Sequence, residues 1–101
     1  MAYTFINALT VPAGRDQEFL EKWDAGAAYV RGCEGFVSTS LHRSLNPSSR
    51  FQYYTVAQWQ SPEHFYRAMA GDWWRDYVAS FGFGPGRNDF GAEPALCEPV
   101  R

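Results

Sequence analysis

The residues best suited to acid–base chemistry in this sequence are its two histidines, His42 and His64. Imidazole is the only side chain whose ordinary pKa places its proton exchange near neutral pH. A histidine is therefore the natural base for a reaction that removes a phenolic or C–H proton. His42 is favoured because it lies on a predicted strand, whereas His64 lies in the first turn of a predicted helix, where the dipole disfavours a protonated ring. The competing interpretation for each is a surface or hydrogen-bonded core histidine.

Asn7 is the second candidate, because it is a polar side chain on an otherwise apolar strand face. The same face carries Tyr3, Phe5, Leu9 and Val11. A buried amide costs about 1–3 kcal/mol unless its donors and acceptor are paired. Asn7 therefore either bonds to nearby backbone or orients a ligand in a cavity under the helices, and we favour the cavity.

Aromatic residues make up 18% of the chain, which is about twice the share of an ordinary domain. They can fill a core, line a pocket for a flat ligand or cover a subunit interface. Trp59 is on general grounds a core residue, although its indole N–H could also hold a ligand oxygen. Trp73, Trp74 and Tyr77 cluster after Gly71, and we expect part of this cluster to line the cavity.

Composition excludes several classes of function. The net charge of −2 and the single lysine, Lys22, give no electrostatic footprint for nucleic acid. No apolar run is long enough to span a membrane, and the N-terminus lacks a secretory pattern. Cys33 and Cys97 have no CxxC spacing, so we expect them to be free thiols. No cluster of His, Cys or Asp predicts a metal site. We expect one cytoplasmic domain over residues 1–101.

Periodicity and turn residues define the elements that must position these side chains. Four segments are predicted as strands: 2–11, 36–43, 50–60 and 92–100. Helices are predicted from Asp16 to near Gly32, from Ser61 onward, and over 73–81 after an interruption at Gly71. The stretch 82–91 is predicted as a mobile loop that could close over a pocket, and prolines confine the last strand to an edge.

The element order β-α-β-β-α-β predicts an α+β, ferredoxin-like fold in which helices cover one face of an antiparallel sheet. The other face would then display Ile6, Ala8 and apolar residues of the hairpin. A bare apolar face of this kind predicts an isologous homodimer.

With the elements placed, the sequence resembles the antibiotic biosynthesis monooxygenase family, whose members are dimeric α+β barrels related to haem-degrading monooxygenases. The resemblance lies in Phe5-Ile6-Asn7-Ala8-Leu9-Thr10-Val11-Pro12-Ala13-Gly14, Gly35-Phe36, Leu41-His42-Arg43-Ser44, and the run from Val56-Ala57-Gln58-Trp59 to His64-Phe65. It covers about Tyr3 to Tyr77.

The resemblance implies different site residues for each branch of the family. Haem degraders use an asparagine on the first strand, matched by Asn7, with a tryptophan and a histidine on the second helix, where this chain has Ala68 and Tyr77-Val78. The missing axial imidazole argues against haem. Members that form quinones use an asparagine and a tryptophan on the third strand and a tyrosine on the next helix. Trp59 matches that tryptophan, while Thr55 and Phe65 replace the other two. No phosphate-binding glycine motif supports reduced flavin.

The predicted function is a cofactor-independent monooxygenase that uses O2 to oxidise an aromatic polyketide-like phenol or anthrone to a quinone. Asn7, Trp59 and His42 are the predicted catalytic residues. Five residues are predicted to bind the small aromatic substrate: Phe65, Thr55, Trp74, Tyr77 and Arg43. The alternatives are a non-redox cyclase or isomerase with the same fold, a haem-degrading protein, and a module that only binds an aromatic metabolite.

Overall fold

A four-stranded antiparallel sheet with helices on one face forms the framework in the computed structural model, which describes residues 2–101. The elements are β1 (Tyr3–Thr10), α1 (Asp16–Arg31), β2 (Phe36–Arg43), β3 (Tyr53–Trp59), α2 (Pro62–Met69), α3 (Asp72–Ala79) and β4 (Gly91–Cys97). The strand order is β2-β3-β1-β4, with antiparallel pairing throughout. The predicted ferredoxin-like fold is therefore confirmed.

The start of α2 follows directly from its sequence. Ser61 is the N-cap, and its Oγ accepts a hydrogen bond of 3.2 Å from the backbone N–H of His64. Pro62 occupies the first helical position, where its missing N–H costs nothing. Gly71 then caps α3 in an extended conformation, so the predicted interruption divides the helical segment in two.

Two element boundaries differ from the prediction. β3 begins at Tyr53 rather than Arg50, because the turn after β2 uses the intervening residues. The backbone N–H of Ser49 donates to the Asn46 carbonyl, and the side chain of Gln52 accepts from the Val11 N–H. β4 ends at Cys97. It pairs with β1 alone, which makes it the edge strand that its prolines predicted.

The register assigns successive residues of each strand to opposite faces. Asn7 pairs with Thr55 on β3 and with Pro94 on β4, so these three side chains share the face covered by the helices. Two buried clusters form on this face, one around Phe19 and Tyr53 and the other around Trp59 and Phe65. Side chains from both clusters line the cavity described below.

The opposite face carries Ile6, which is 39% exposed, together with Ser40 and His42, which are also exposed. This face therefore mixes apolar and polar side chains, as an antiparallel sheet face commonly does where no helix covers it.

None of the helices within residues 2–101 combines the length and the apolar character needed to cross a membrane.

The segment 82–90 between α3 and β4 contains no helix or strand, as predicted. It is tied to the core by Phe90, which is 1% exposed and packs near Phe19. A guanidinium N–H of Arg15 donates to the Asn88 carbonyl at 3.0 Å. Phe83 from the same segment contributes to the cavity wall. The mobility of this segment stays a prediction.

Candidate functional site

A cavity of about 490 Å³ lies between the sheet and the helices. Its volume falls in the range of pockets that hold small organic ligands. The wall is mainly apolar and contains many aromatic rings, among them those of Phe5, Phe19, Trp59, Phe65, Trp74 and Phe81. Such walls suit a flat, apolar molecule.

Asn7 places a carboxamide in this apolar surface from the middle of β1. Its Oδ1 atom is buried and has no hydrogen-bond partner among the described residues. A buried carbonyl oxygen without a partner costs about 1–3 kcal/mol. The carboxamide is therefore an unfavourable side chain for packing alone at this position.

Thr55 lies beside Asn7 on the neighbouring strand and also lines the cavity. Its Oγ1 accepts a hydrogen bond of 3.0 Å from Nε1 of Trp23, which lies on α1. Trp23 was not predicted as a site residue from the sequence. Its spacing from Phe19 and Ala27 marks the buried face of an amphipathic helix, and nothing in that pattern indicates which buried residue meets a cavity.

Trp59 lies at the end of β3 and is 1% exposed. Its ring meets Phe36 and Phe65 edge-to-face, with centroid distances of 5.5 and 5.8 Å. Phe5 packs against Phe65 at 4.8 Å. Trp59 is thus both a core residue and a cavity-lining residue, and Phe65 continues the same wall.

Tyr77 and Trp74 extend the wall from α3. The Tyr77 hydroxyl donates a 2.7 Å hydrogen bond to the backbone carbonyl of Lys22 on α1. Burial raises the pKa of Tyr77 to about 12, so the phenol stays neutral at physiological pH. Gly26 makes this packing possible, because a Cβ there would lie 2.5 Å from the Tyr77 hydroxyl oxygen.

His42 lies outside the cavity, which corrects the expectation that it supplies a base there. It pairs with Tyr54 on the face opposite the helices, and its Nε2 is 2.9 Å from Ser40 Oγ. Successive side chains of β2 point to opposite faces of the sheet. Thr39 therefore faces the cavity and Leu41 faces the core. His42 lies on the same strand, but its side chain points to the face opposite the cavity.

Arg43 is also placed outside the cavity lining, which corrects its expected contact with substrate. One of its guanidinium N–H groups donates to the Tyr53 hydroxyl at 3.0 Å, and that hydroxyl donates to Asp16 Oδ2 at 2.6 Å. The hydrogen bond to Tyr53 raises the pKa of Arg43. This chain of contacts joins β2, β3 and α1 at one end of the sheet.

The side chains that line the cavity determine whether it can hold a haem. Among the described residues, the lining contains neither His nor Cys. His64 lies elsewhere, with Nδ1 2.7 Å from Ser61 Oγ and Nε2 3.9 Å from Glu34. The Tyr77 hydroxyl is already bonded to backbone. Lacking an imidazole or thiolate to ligate iron, these residues do not fit a haem.

Within residues 2–101, no three side chains of His, Cys, Asp or Glu come together as a metal site.

Comparisons with known proteins agree with this fold. A protein from Shewanella loihica PV-4 is 30% identical, with a TM-score of 0.76 over 99% of this chain and 95% of that chain. SnoaB, a cofactor-independent oxygenase from Streptomyces nogalater, is 25% identical, with a TM-score of 0.79 over 99% and 94%. MhuD, a haem degrader from Mycobacterium tuberculosis, is 27% identical, with a TM-score of 0.68 over 98% and 96%.

No curated protein sequence matches the chain. The sequence profile described as antibiotic biosynthesis monooxygenase matches residues 2–80, which is most of its length. The chain therefore belongs to the antibiotic biosynthesis monooxygenase family and is an enzyme of the monooxygenase class.

Proposed function

We propose that this protein is a cofactor-independent monooxygenase that oxidises a flat aromatic phenol or anthrone, of the kind found among polyketides, to a quinone with O2. The cavity that would hold the substrate is apolar, of suitable volume, and lined by aromatic rings. The similarity to SnoaB supports oxygenation without a cofactor, and the poor fit of the cavity residues to haem argues against chemistry like that of MhuD.

The observation that carries the proposal is the carboxamide of Asn7 in the wall of this otherwise apolar, aromatic-lined cavity. Its amide N–H can donate to a ligand oxygen, and the remaining surface accepts the rings. Polar groups in small-molecule sites typically fix the orientation of a mostly apolar ligand. Asn7 would therefore set which edge of the substrate faces the sheet.

The reaction balances without a further redox partner. The anthrone methylene loses both hydrogens and gains a carbonyl oxygen from O2, while the second oxygen atom leaves as water. O2 is thus reduced by four electrons, and the methylene carbon supplies all four. The intermediate that reacts with O2 is the substrate enolate or phenolate.

The chain's own groups would bind and stabilise that anion. Among the described cavity-lining residues, Tyr77 is the one with an ionisable side chain. Because its pKa is about 12, the phenol stays protonated at neutral pH and cannot act as a base. The substrate proton would therefore pass to solvent. The Asn7 amide N–H, the Thr55 hydroxyl and the Trp59 indole N–H are the donors available to hold the oxygen anion.

The proposal is tested by oxygen uptake with an anthrone, using protein treated with chelator and shown by absorbance to contain no flavin or haem. We expect one O2 consumed per quinone formed, at a rate well above the protein-free oxidation. A rate equal to that of the protein-free control would contradict the proposal. Turnover only after addition of reduced flavin would reject the cofactor-free mechanism.

An anaerobic reaction separates this function from its main alternative. A cyclase or isomerase of the same fold would give equal product without O2, whereas the oxygenase gives none. Retained binding without any turnover would instead indicate a binding module.

We also infer that the protein is a cytoplasmic homodimer. The exposed sheet face around Ile6 supports self-association. Both thiols, Cys33 and Cys97, are free, as suits a reducing compartment.

A further inference from the structure

The helix α3 covers the cavity although little of the helix itself is buried. Trp74, Tyr77 and Val78 place its inner face in the cavity wall. All of α3 lies within the described residues, and none of its residues is fully buried, whereas α1 and α2 each contain buried residues. Val78 is also 37% exposed, so solvent meets the cavity wall beside this helix. An element with few buried contacts opens at a lower free-energy cost than the core does.

Glycines flank α3 on both sides. Gly71 is the N-cap, has an extended backbone and separates α3 from α2. Gly82 follows the helix with a φ of 61°, in the left-handed region that favours glycine. The chain can therefore change direction at both ends of α3 without straining a side chain, as the hinges of a moving element require.

The start of α3 is fixed to α1 by aromatic stacking. Trp73 stacks on Tyr29, with ring centroids 4.7 Å apart and planes 10° apart. The Tyr29 hydroxyl donates a 2.8 Å hydrogen bond to the Ala68 carbonyl, shortly before Gly71. These contacts hold the N-terminal hinge of α3 in place.

The other end of α3 is held by a single residue of α1, Lys22. Its backbone carbonyl accepts the 2.7 Å hydrogen bond from the Tyr77 hydroxyl. Its ammonium group donates to the Ser80 carbonyl at 3.3 Å and to Ser80 Oγ at 3.1 Å. Ser80 is the C-cap of α3, where a cation also interacts favourably with the helix dipole. The ammonium lies 5.2 Å from the ring centroid of Phe81, the next residue along the chain.

We propose that Lys22 is a positioning residue that holds the C-terminal end of α3 closed, and that this end moves outward about Gly71 to admit the ligand. A cavity that excludes water during a reaction and still exchanges its ligand needs such a movable wall. The inference rests on the proposed function only for the identity of the ligand, because opening and binding can be measured without turnover.

Hydrogen exchange of the ligand-free protein, followed by mass spectrometry, is the first test. Lys22→Met keeps an unbranched apolar stem but removes the ammonium group, and Lys22→Arg keeps the charge and the donors. We expect Lys22→Met to speed exchange of the amides of residues 76–80 about 3- to 10-fold, because the closed form loses its contacts to Ser80. Lys22→Arg should stay close to the wild type, and exchange in β1 should not change. Equal exchange of residues 76–80 in Lys22→Met and the wild type would overturn the inference.

The second test measures ligand-binding kinetics by stopped flow, with 1,4-dihydroxyanthraquinone as the probe and quenching of tryptophan fluorescence as the signal. If the ligand enters and leaves through the open form, Lys22→Met raises the association and dissociation rate constants by the same factor, about 3- to 10-fold. The Kd then stays unchanged. A residue that only stabilises the cavity wall would instead raise Kd through faster dissociation. An unchanged association rate constant in Lys22→Met would therefore reject the gating role.

Arg50→Gln is the control for the kinetic test, because it removes an ion pair with Glu93 on β4 and leaves α3 untouched. Both of its rate constants should match those of the wild type. If Lys22→Met fails to fold by circular dichroism, Ser80→Ala removes the hydroxyl that accepts from Lys22. It should speed exchange and association in the same direction by a smaller factor, and wild-type values for both would overturn the inference.

The two proposals can fail separately. Faster association and dissociation in Lys22→Met, with no oxygen uptake by the wild type, would leave the role of Lys22 standing while the oxygenase proposal fails. Oxygen uptake by the wild type, with wild-type binding rates in Lys22→Met, would have the reverse meaning.

Discussion

The carboxamide of Asn7 lies among aromatic rings, and its Oδ1 atom is buried without a hydrogen-bond partner in the part of the chain that the structure describes. Replacement by leucine, which has nearly the same shape, removes the unpaired carbonyl. We therefore expect Asn7→Leu to raise the free energy of unfolding by about 1–2 kcal/mol while lowering the rate of oxygen uptake about 100-fold. Urea unfolding and an oxygen electrode measure the two quantities on the same preparation.

Thr4→Val on the other face of β1 is the matched control for Asn7→Leu. It removes the 3.0 Å hydrogen bond from Thr4 to Gln58, so it should lower stability by about 0.5–1.5 kcal/mol and leave turnover unchanged. A variant of Asn7 that is both less stable and equally active would show that the amide is a structural residue.

Tyr77 gives the stability of the protein a specific dependence on pH. Burial raises its pKa from 10.0 to about 12. Between these values the folded chain keeps a proton that the unfolded chain has lost, so the free energy of unfolding falls as pH rises through this window. In Tyr77→Phe the fall should be shallower, as measured by urea unfolding at a series of pH values. Tyr66→Phe, at a ring that is 61% exposed, should keep the wild-type slope.

His42 is expected to have no part in the reaction of its own chain, because its side chain faces away from the cavity. His42→Gln keeps a polar side chain of similar size beside Ser40. Its kcat/KM and the pH profile of kcat/KM should match those of the wild type, whereas Trp59→Phe should lower kcat/KM about 10-fold or more. Loss of a pH-dependent limb in His42→Gln would restore the histidine as the base.

Residues on β1 were easier to assign from sequence than residues on β2. The face of β1 that carries Asn7 is otherwise apolar, so alternation alone indicated that its amide meets the core. β2 mixes small polar residues on both faces, for example Thr39 on the inner face and Ser40 on the outer face. Hydrophobic pattern could not decide which face held His42, and only the register with β3 does so.

At the scale of elements, α1 and α3 depend on a glycine for their close packing. A Cβ on Gly26 would lie 2.5 Å from the hydroxyl oxygen and 2.8 Å from Cζ of Tyr77. Helix propensity alone predicts that Gly26→Ala stabilises the protein by about 0.5–1 kcal/mol. We expect the opposite sign, a loss of about 1–3 kcal/mol, because the Tyr77 ring must move and release the Lys22 carbonyl.

Gly32→Ala is the control for the Gly26 substitution, since the nearest atom to a Cβ there is 3.6 Å away and the backbone is not in the left-handed region. Thermal unfolding of Gly26→Ala and Gly32→Ala measures the two stabilities against the wild type. Equal stability of the two variants would mean that Tyr77 adjusts without cost.

Elements with local start signals were well predicted, while those set by distant contacts were not. Ser61 and Pro62 define the start of α2 within a few residues of chain. The start of β3 depends instead on Gln52, whose backbone N–H donates to Leu9, far away in sequence. Trp23 was missed for the same reason, because its partner Thr55 lies on another element. Local rules cannot supply such pairings.

For the whole molecule, the exposed sheet face predicts association of two copies. If the wild type is the proposed homodimer, Ile6→Lys should convert it to a single chain, as measured by light scattering after gel filtration, because a charge would be buried in the interface. Leu45→Lys, at a turn residue that is 98% exposed, should leave the mass unchanged. A wild-type protein that elutes as one chain at all concentrations would contradict the homodimer.

The alternation of β1 also separates two kinds of change that this protein can accumulate. Substitutions at Phe5, Asn7 and Leu9 alter the cavity, whereas substitutions at Thr4, Ile6 and Ala8 alter the outer face. Neighbouring side chains of this eight-residue strand face different surfaces. Substitutions that change ligand preference and substitutions that change association between chains can therefore accumulate independently. The same independence makes the sheet a convenient scaffold for engineering, since the pocket can be redesigned while the outer face is kept constant.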